Sequence, residues 1–166
     1  MSMTDYHVIV VGTDGSSLAK PTVARAAWLA KHDDADLVIV CAYSSLSRRD
    51  EAKNVATLGG DARGGEVLGR VAANDALTRA VAVAAENGAT VAAALMIEGD
   101  ATAALVQTAK ERKAELLVLG ARSDVSFSER LLGTVARDVV DQATCDVLII
   151  RPNQSGEIPV PEDGPA

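Results

Sequence analysis

The segment Gly120-Ala121-Arg122-Ser123-Asp124 continues through Arg130-Leu131-Leu132 to Gly133-Thr134-Val135, directly after a short apolar run. A glycine at a strand end lets a ligand approach the backbone. A helix opening at Gly133-Thr134 would offer free N–H groups and the positive end of its dipole to a phosphate. The same residues also read as a turn at Gly133 and an ordinary N-cap at Thr134, and spacing alone leaves both readings open. A second signal, Val11-Gly12-Thr13-Asp14-Gly15-Ser16-Ser17, follows the first apolar run. Asp14 there can accept hydrogen bonds from ribose hydroxyls, or it can cap the following helix beside Ser16 and Ser17. Arg122 and Arg130 flank the glycine loop and can pair with phosphate or stand solvated. Asp124 is a lone carboxylate, a weak signal for Mg²⁺, which commonly relies on phosphates and water.

Hydrolytic machinery is not evident. Gly12-Thr13-Asp14-Gly15 is not followed by the lysine and hydroxyl residue of a P-loop, no Gly-x-Ser-x-Gly elbow occurs, and His7 and His32 lack partners at metal-ligand or nucleophile–base spacing. Cys41 and Cys145 each sit beside an apolar run and read as reduced thiols rather than a redox pair.

These residues need elements to hold them in place. Nearly continuous apolar runs at His7 to Val11, Leu37 to Ala42, Val91 to Ile97, Leu116 to Leu119 and Val147 to Ile150 are of strand length. Runs without alternation suit strands buried on both faces, hence a parallel sheet. Helical stretches lie between them at Leu18 to Lys31, Gly69 to Asn87, Thr102 to Arg112 and Leu131 to Ala143. Ala19, Val23, Ala26, Ala27 and Ala30 share one helix face, and Pro21 belongs in that helix's first turn, where its missing N–H costs little. Asn87-Gly88 reads as a C-cap and Asp100 as an N-cap. Strict alternation predicts an α/β fold: a doubly wound five-stranded parallel sheet with helices on both faces. If the first and fourth apolar strands are neighbours at its switch point, Asp14 and Gly120 face one cleft. Trp28 reads as a core or interface anchor. The glycine-bearing stretch Ser44 to Leu68 reads as a long connection able to fold over a ligand, and the Pro-rich acidic tail as disordered.

Composition narrows the partners. With 166 residues, 48% of them apolar, the chain fits one domain with a sizeable core, and at 2% aromatics that core rests on Val, Leu, Ile and Ala. A net charge of −7 with no basic block makes nucleic acid and anionic membrane poor partners. Residues Met1 to Asp5 show no basic or apolar leader pattern and no run approaches bilayer-spanning length, so a cytoplasmic location is expected.

Over Tyr6 to Pro152 the chain resembles the universal stress protein family. Its opening is matched by Val8-Ile9-Val10-Val11-Gly12-Thr13-Asp14-Gly15-Ser16, and its closing by Leu131-Leu132-Gly133-Thr134-Val135 and Cys145-Asp146-Val147-Leu148-Ile149-Ile150-Arg151-Pro152. ATP-binding members carry Gly, two residues, Gly, nine residues, then Gly and Ser or Thr. Gly120, Gly133 and Thr134 keep this register, and Ser123 stands where the second glycine is expected. The resemblance implies a domain at 1–152 with a tail at 153–166, a Rossmann-like sheet, and an adenine nucleotide as ligand, ATP first, with Mg²⁺ as its companion ion. It implies that Thr13 and Asp14 meet the ribose side, that the backbone at Ala42 meets the adenine edge, and that Gly120 lies under the ribose. Ser123, Gly133, Thr134 and Val135 would surround the phosphates, and Arg122, by its place in the loop, would flank them. It also implies a homodimer through Asp146 to Ile150 and a regulatory binding role in the stress response rather than turnover. A cyclic AMP-binding member, a slow ATPase and a nucleotide-free interaction module are the alternatives that the Ser123 departure and the absent machinery leave standing.

Overall fold

The computed structural model describes residues 5–45, 67–121 and 132–151. The elements in chain order are β1 (Val8–Gly12), α1 (Ala19–Asp33), β2 (Asp36–Ser44), β3 (Val67–Leu68), α2 (Arg70–Glu86), β4 (Thr90–Glu98), α3 (Ala101–Glu111), β5 (Leu116–Gly120), α4 (Thr134–Gln142) and β6 (Asp146–Ile150). Every strand pairing is parallel. The five main strands run β4-β2-β1-β5-β6 across the sheet.

The two-residue β3 differs from the sequence expectation, because two residues make no apolar run and Val67 and Leu68 stand at the end of a long connection. Its position follows from its partner. Tyr43 pairs with Glu98 of β4 on one edge of β2 and with Val67 on the other, while the β1 pairing ends at Val40. β3 therefore lies in line with β1, beyond its carboxyl end.

Burial explains the strand assignment. Ile9, Val10 and Val11 are fully buried, so alternate residues enter different cores, each side chain contributing about 1.5 to 3 kcal/mol of transfer free energy. On one face Ile9, Val11, Leu37, Ile39 and Val118 pack under α1 and α2; on the other, Val10, Val38, Val40, Leu117 and Leu119 pack under α3 and α4. Alanines make the close approach possible: Ala24, Ala26, Ala27 and Ala30 on α1 meet Ala73, Ala76, Ala80 and Ala84 on α2 within one core.

The helix ends also match expectation. Pro21 falls in the first turn of α1, Asp100 caps α3 by accepting the Ala103 N–H at 2.8 Å, and Gly88 follows the Asn87 C-cap at φ +76°. Helix α4 begins at Thr134, three residues later than the reading from Leu131. Trp28 is 37% exposed and stacks on His32 with ring centroids 5.5 Å apart, so it is a surface residue and not part of the core. Cys41 and Cys145 are free thiols packed toward opposite faces of the sheet. Burial, with a smaller push from the Asp14 charge, raises the Cys41 thiol to about 12.

Most of the Ser44 to Leu68 stretch and the tail beyond Arg151 lie outside the described residues. Among the described residues no helix is long and apolar enough to cross a membrane.

Candidate functional site

The strand order reverses at β1. From β1 the chain moves outward to β2 and β4, then returns to the other side of β1 with β5 and continues to β6. In such a sheet the helices after neighbouring strands depart on opposite faces, leaving a crevice at the carboxyl ends. Here it opens between β1 and β5, where Gly12 and Gly120 end their strands.

On the β1 side, the Thr13 N–H donates to the Val40 carbonyl at 2.9 Å and extends the ladder by one residue. The chain then turns, and the Asp14 carboxylate accepts the Ser16 N–H at 2.9 Å through Oδ1, a local side-chain turn of the kind aspartate favours. Gly15 inside it has φ +74°, and a Cβ there would stand 3.3 Å from the Ala76 Cβ and 3.4 Å from Arg79 Nη2. Asp14 does not cap α1: the N-cap is Leu18, which offers no side-chain bond. The carboxylate supports the turn with one oxygen, and Oδ2 has no bond among the described residues.

The backbone of Ala42 faces the same end of the sheet. Val40 and Ser44 turn their carbonyls to one edge of β2, accepting from Thr13 and Gly69 respectively, and strand alternation gives Ala42 between them the same direction. Its polar groups thus point into the interval between Thr13 and β3.

On the β5 side, Gly120 pairs with Ile150, and the Ala121 N–H donates to the Ile150 carbonyl at 2.8 Å. The Gly133 N–H donates to the Ala121 carbonyl at 2.7 Å, so the chain leaves the sheet at Ala121 and returns beside the same residue. Gly133 is the N-cap of α4 with φ −65° and ψ 167°, an extended conformation open to any residue, and it brings no side-chain cap. The first turn of α4, with exposed Thr134 and half-buried Val135, can therefore offer backbone donors to an anion. Arg122, Ser123, Asp124 and Arg130 lie outside the described residues.

Two residues missed at the sequence level border these loops. Arg79 on α2 brings its guanidinium over Gly15, and Arg137 on α4 donates from Nη2 to the Leu132 carbonyl at 3.3 Å. Arg137 could have been found from its place three residues after Thr134; nothing in the local pattern marks Arg79. Both histidines sit at the opposite, amino-terminal end of the sheet: His7 bonds Glu115 just before β5, and His32 bonds Asp33 at the end of α1. Among the described residues no cluster of three or more His, Cys, Asp or Glu is placed to hold a metal ion. The crevice thus combines a carboxylate acceptor, a backbone edge and a helix start, groups suited to gripping a polar ligand.

A parallel α/β sheet of this strand order belongs to the broad class of doubly wound, Rossmann-like folds. Within that class, the family model described as the universal stress protein family matches residues 5–151. Universal stress protein Rv1636 of Mycobacterium tuberculosis is 36% identical over 89% of this chain and 98% of its own length. A universal stress protein from Thermus aquaticus is 31% identical over 88% of this chain and 99% of its own. Among solved structures, a universal stress protein in complex with cAMP is 33% identical, covers 89% of this chain and 99% of its own, and superposes with a TM-score of 0.66. The chain belongs to the universal stress protein family.

Proposed function

We propose that the chain binds an adenine nucleotide across the carboxyl ends of β1 and β5 and acts as a regulatory binding module of the stress response. The observation that carries this reading is the joint placement of the Asp14 turn and the start of α4, whose N-cap supplies no side-chain bond, on either side of the switch point. In this reading Thr13 and Asp14 hold the ribose side, the Ala42 backbone meets the adenine edge, and Gly120 lies beneath the ribose. Ser123, Gly133, Thr134 and Val135, with Arg122 beside them, take the phosphates. ATP is the first candidate, and Mg²⁺ would then be held mainly by phosphate oxygens and water. The output is binding: both histidines are engaged with carboxylates at the far end of the sheet.

Cyclic AMP is the second reading, favoured by the 33% identical relative solved with that ligand and by Ser123 in place of a glycine. Mass spectrometry of nucleotides released on denaturing the purified protein, followed by calorimetric titration with adenosine, AMP, cAMP and ATP, decides between them. An adenine nucleotide in the released pool with ATP binding tighter than adenosine is expected. Preference for cAMP moves the assignment to the second reading, and no heat from any of the four removes the nucleotide site. Ser123→Gly adds resolution: if the Ser123 Cβ restricts the phosphate loop, ATP gains affinity while adenosine does not.

The chain is also proposed to form a homodimer along β6, whose Val147, Leu148 and Ile149 are half-buried at the edge of the sheet.

A further inference from the structure

Leu18, the N-cap of α1, carries no polar side-chain group and was assigned no part in the site. It is 7% exposed, and its Cδ2 and Cγ lie 2.9 and 3.2 Å from the place a Cβ on Gly120 would take, with Thr22 Oγ1 at 3.3 Å. Gly120 is not among the residues with positive φ, so a Cβ there would disturb the packing of Leu18 rather than the backbone conformation. Leu18 is itself held tightly, because the Thr22 hydroxyl and N–H both donate to its carbonyl, at 2.7 and 3.1 Å.

The two ends of this contact lead to the two sides of the crevice. Behind Leu18, the Ser16 carbonyl accepts the Ala19 N–H at 3.0 Å and the Ser16 N–H reaches the Asp14 carboxylate. Beyond Gly120, the Ala121 carbonyl receives the Gly133 N–H that sets the start of α4. On the opposite face Leu105 of α3 occupies the equivalent space at Gly12, 3.1 Å from a Cβ there.

We infer that Leu18 is a positioning residue: seated on Gly120, it fixes the separation between the Asp14 turn and the start of α4, and hence which ligands can span them. The inference rests on the proposed nucleotide reading for its ligand, but the coupling itself is measurable without one.

The test compares the full-length wild type with Leu18→Ala, Leu18→Met, Gly120→Ala and the double variant Gly120→Ala/Leu18→Ala. Amide hydrogen exchange at Ser16 and Gly133 is read in the free proteins, and ATP and adenosine affinities by calorimetry. Leu18→Ala should speed exchange at both amides and weaken ATP by about tenfold, while adenosine, which has no phosphate to reach the start of α4, changes by less than about threefold. Leu18→Met should retain wild-type values, since it conserves volume. Gly120→Ala alone should speed exchange at both amides as Leu18→Ala does, and the double variant should recover exchange protection because the new methyl fills the vacated seat. Faster exchange at Ser16 with Gly133 unchanged would overturn the coupling. Equal losses for ATP and adenosine would reduce Leu18 to general stability and overturn the positioning role. If the wild type binds neither ligand, the nucleotide reading fails separately and the two amides alone decide the coupling. Leu18→Val, a smaller truncation, replaces Leu18→Ala if that variant does not fold.

Discussion

Asp14 holds its own turn with one carboxylate oxygen, and the proposed ribose contact would draw on the other. Asparagine can still accept the Ser16 N–H through its carbonyl oxygen, so Asp14→Asn should alter stability by less than about 1 kcal/mol. Its neutral amide cannot make a charge-assisted bond, so adenine-nucleotide affinity should fall by about 1 kcal/mol or more, roughly fivefold upward. Calorimetry with ATP or cAMP, beside thermal unfolding of the free proteins, measures the two effects separately. Unchanged affinity would take Asp14 out of the site. The sequence marked Asp14 because acid-glycine-serine after an apolar strand is a local pattern. It did not mark Leu18, whose importance comes from a residue about a hundred positions away: the lack of a Cβ at Gly120 reads as backbone freedom in a sequence and proves to be space for a leucine. Arg79 is invisible for the same reason, since its nearness to Gly15 is created by helix packing.

At the scale of elements, the start of β1 is tied to the start of β5 by Glu115. Its Oε1 accepts the N–H groups of His7 and Val8, each at 2.9 Å, and its Oε2 meets His7 Nδ1 at 2.9 Å. The hydrogen bond to Glu115, then its charge, raise the His7 pKa above 6.5. Desolvation is the largest single influence on Glu115 and pushes its carboxyl up, but the bonds from the His7 ring and from the two N–H groups outweigh it and hold the carboxyl below its usual range. A histidine raised on folding contributes stability that is complete below its unfolded pKa and is lost as pH rises through the folded value. The Glu115 contribution is instead lost in acid, as pH falls through its lowered value. The stability difference between wild type and His7→Gln should therefore be larger at about pH 5.5 than at about pH 8.5, measured by urea unfolding. A pH-independent difference would show that the ion pair has no energetic role. The elements themselves were largely legible, because strands buried on both faces must be continuously apolar and helices between them must begin and end at caps. β3 escaped because it exists only by pairing with β2, and the late start of α4 because Leu131 and Leu132 extend the apolar pattern past the point where Gly133 takes an extended conformation.

At the scale of the molecule, the two longer outer strands among the described residues, β4 and β6, differ. Along β4 the register shifts between Leu37 and Val38, which pair with Val91 and Ala93, leaving Ala92 as an extra residue. A bulge of this kind disrupts an edge and discourages pairing. β6 pairs with β5 without interruption from Asp146 to Ile150, so its outer edge is the regular one and the better template for a second copy. In an antiparallel arrangement centred on Leu148, Asp146 would face Ile150 of the other chain, and no like charges would oppose each other. Direction along the strand determines which substitution tests this. The Asp146 N–H donates to the Glu115 carbonyl and the Ile150 carbonyl accepts from Ala121, so residues 146, 148 and 150 turn their polar groups inward to β5. Val147 and Ile149 turn theirs outward. Proline at Leu148 would break the sheet's own ladder, whereas Val147→Pro removes a donor from the outer edge alone, the position where a strand tolerates proline. Sedimentation at micromolar concentration should therefore show a dimer for the wild type and a shift toward monomer for Val147→Pro, with far-UV circular dichroism unchanged. A wild type that sediments as a monomer would refute β6 pairing, and a Val147→Pro protein that remains as dimeric as the wild type would place the interface elsewhere.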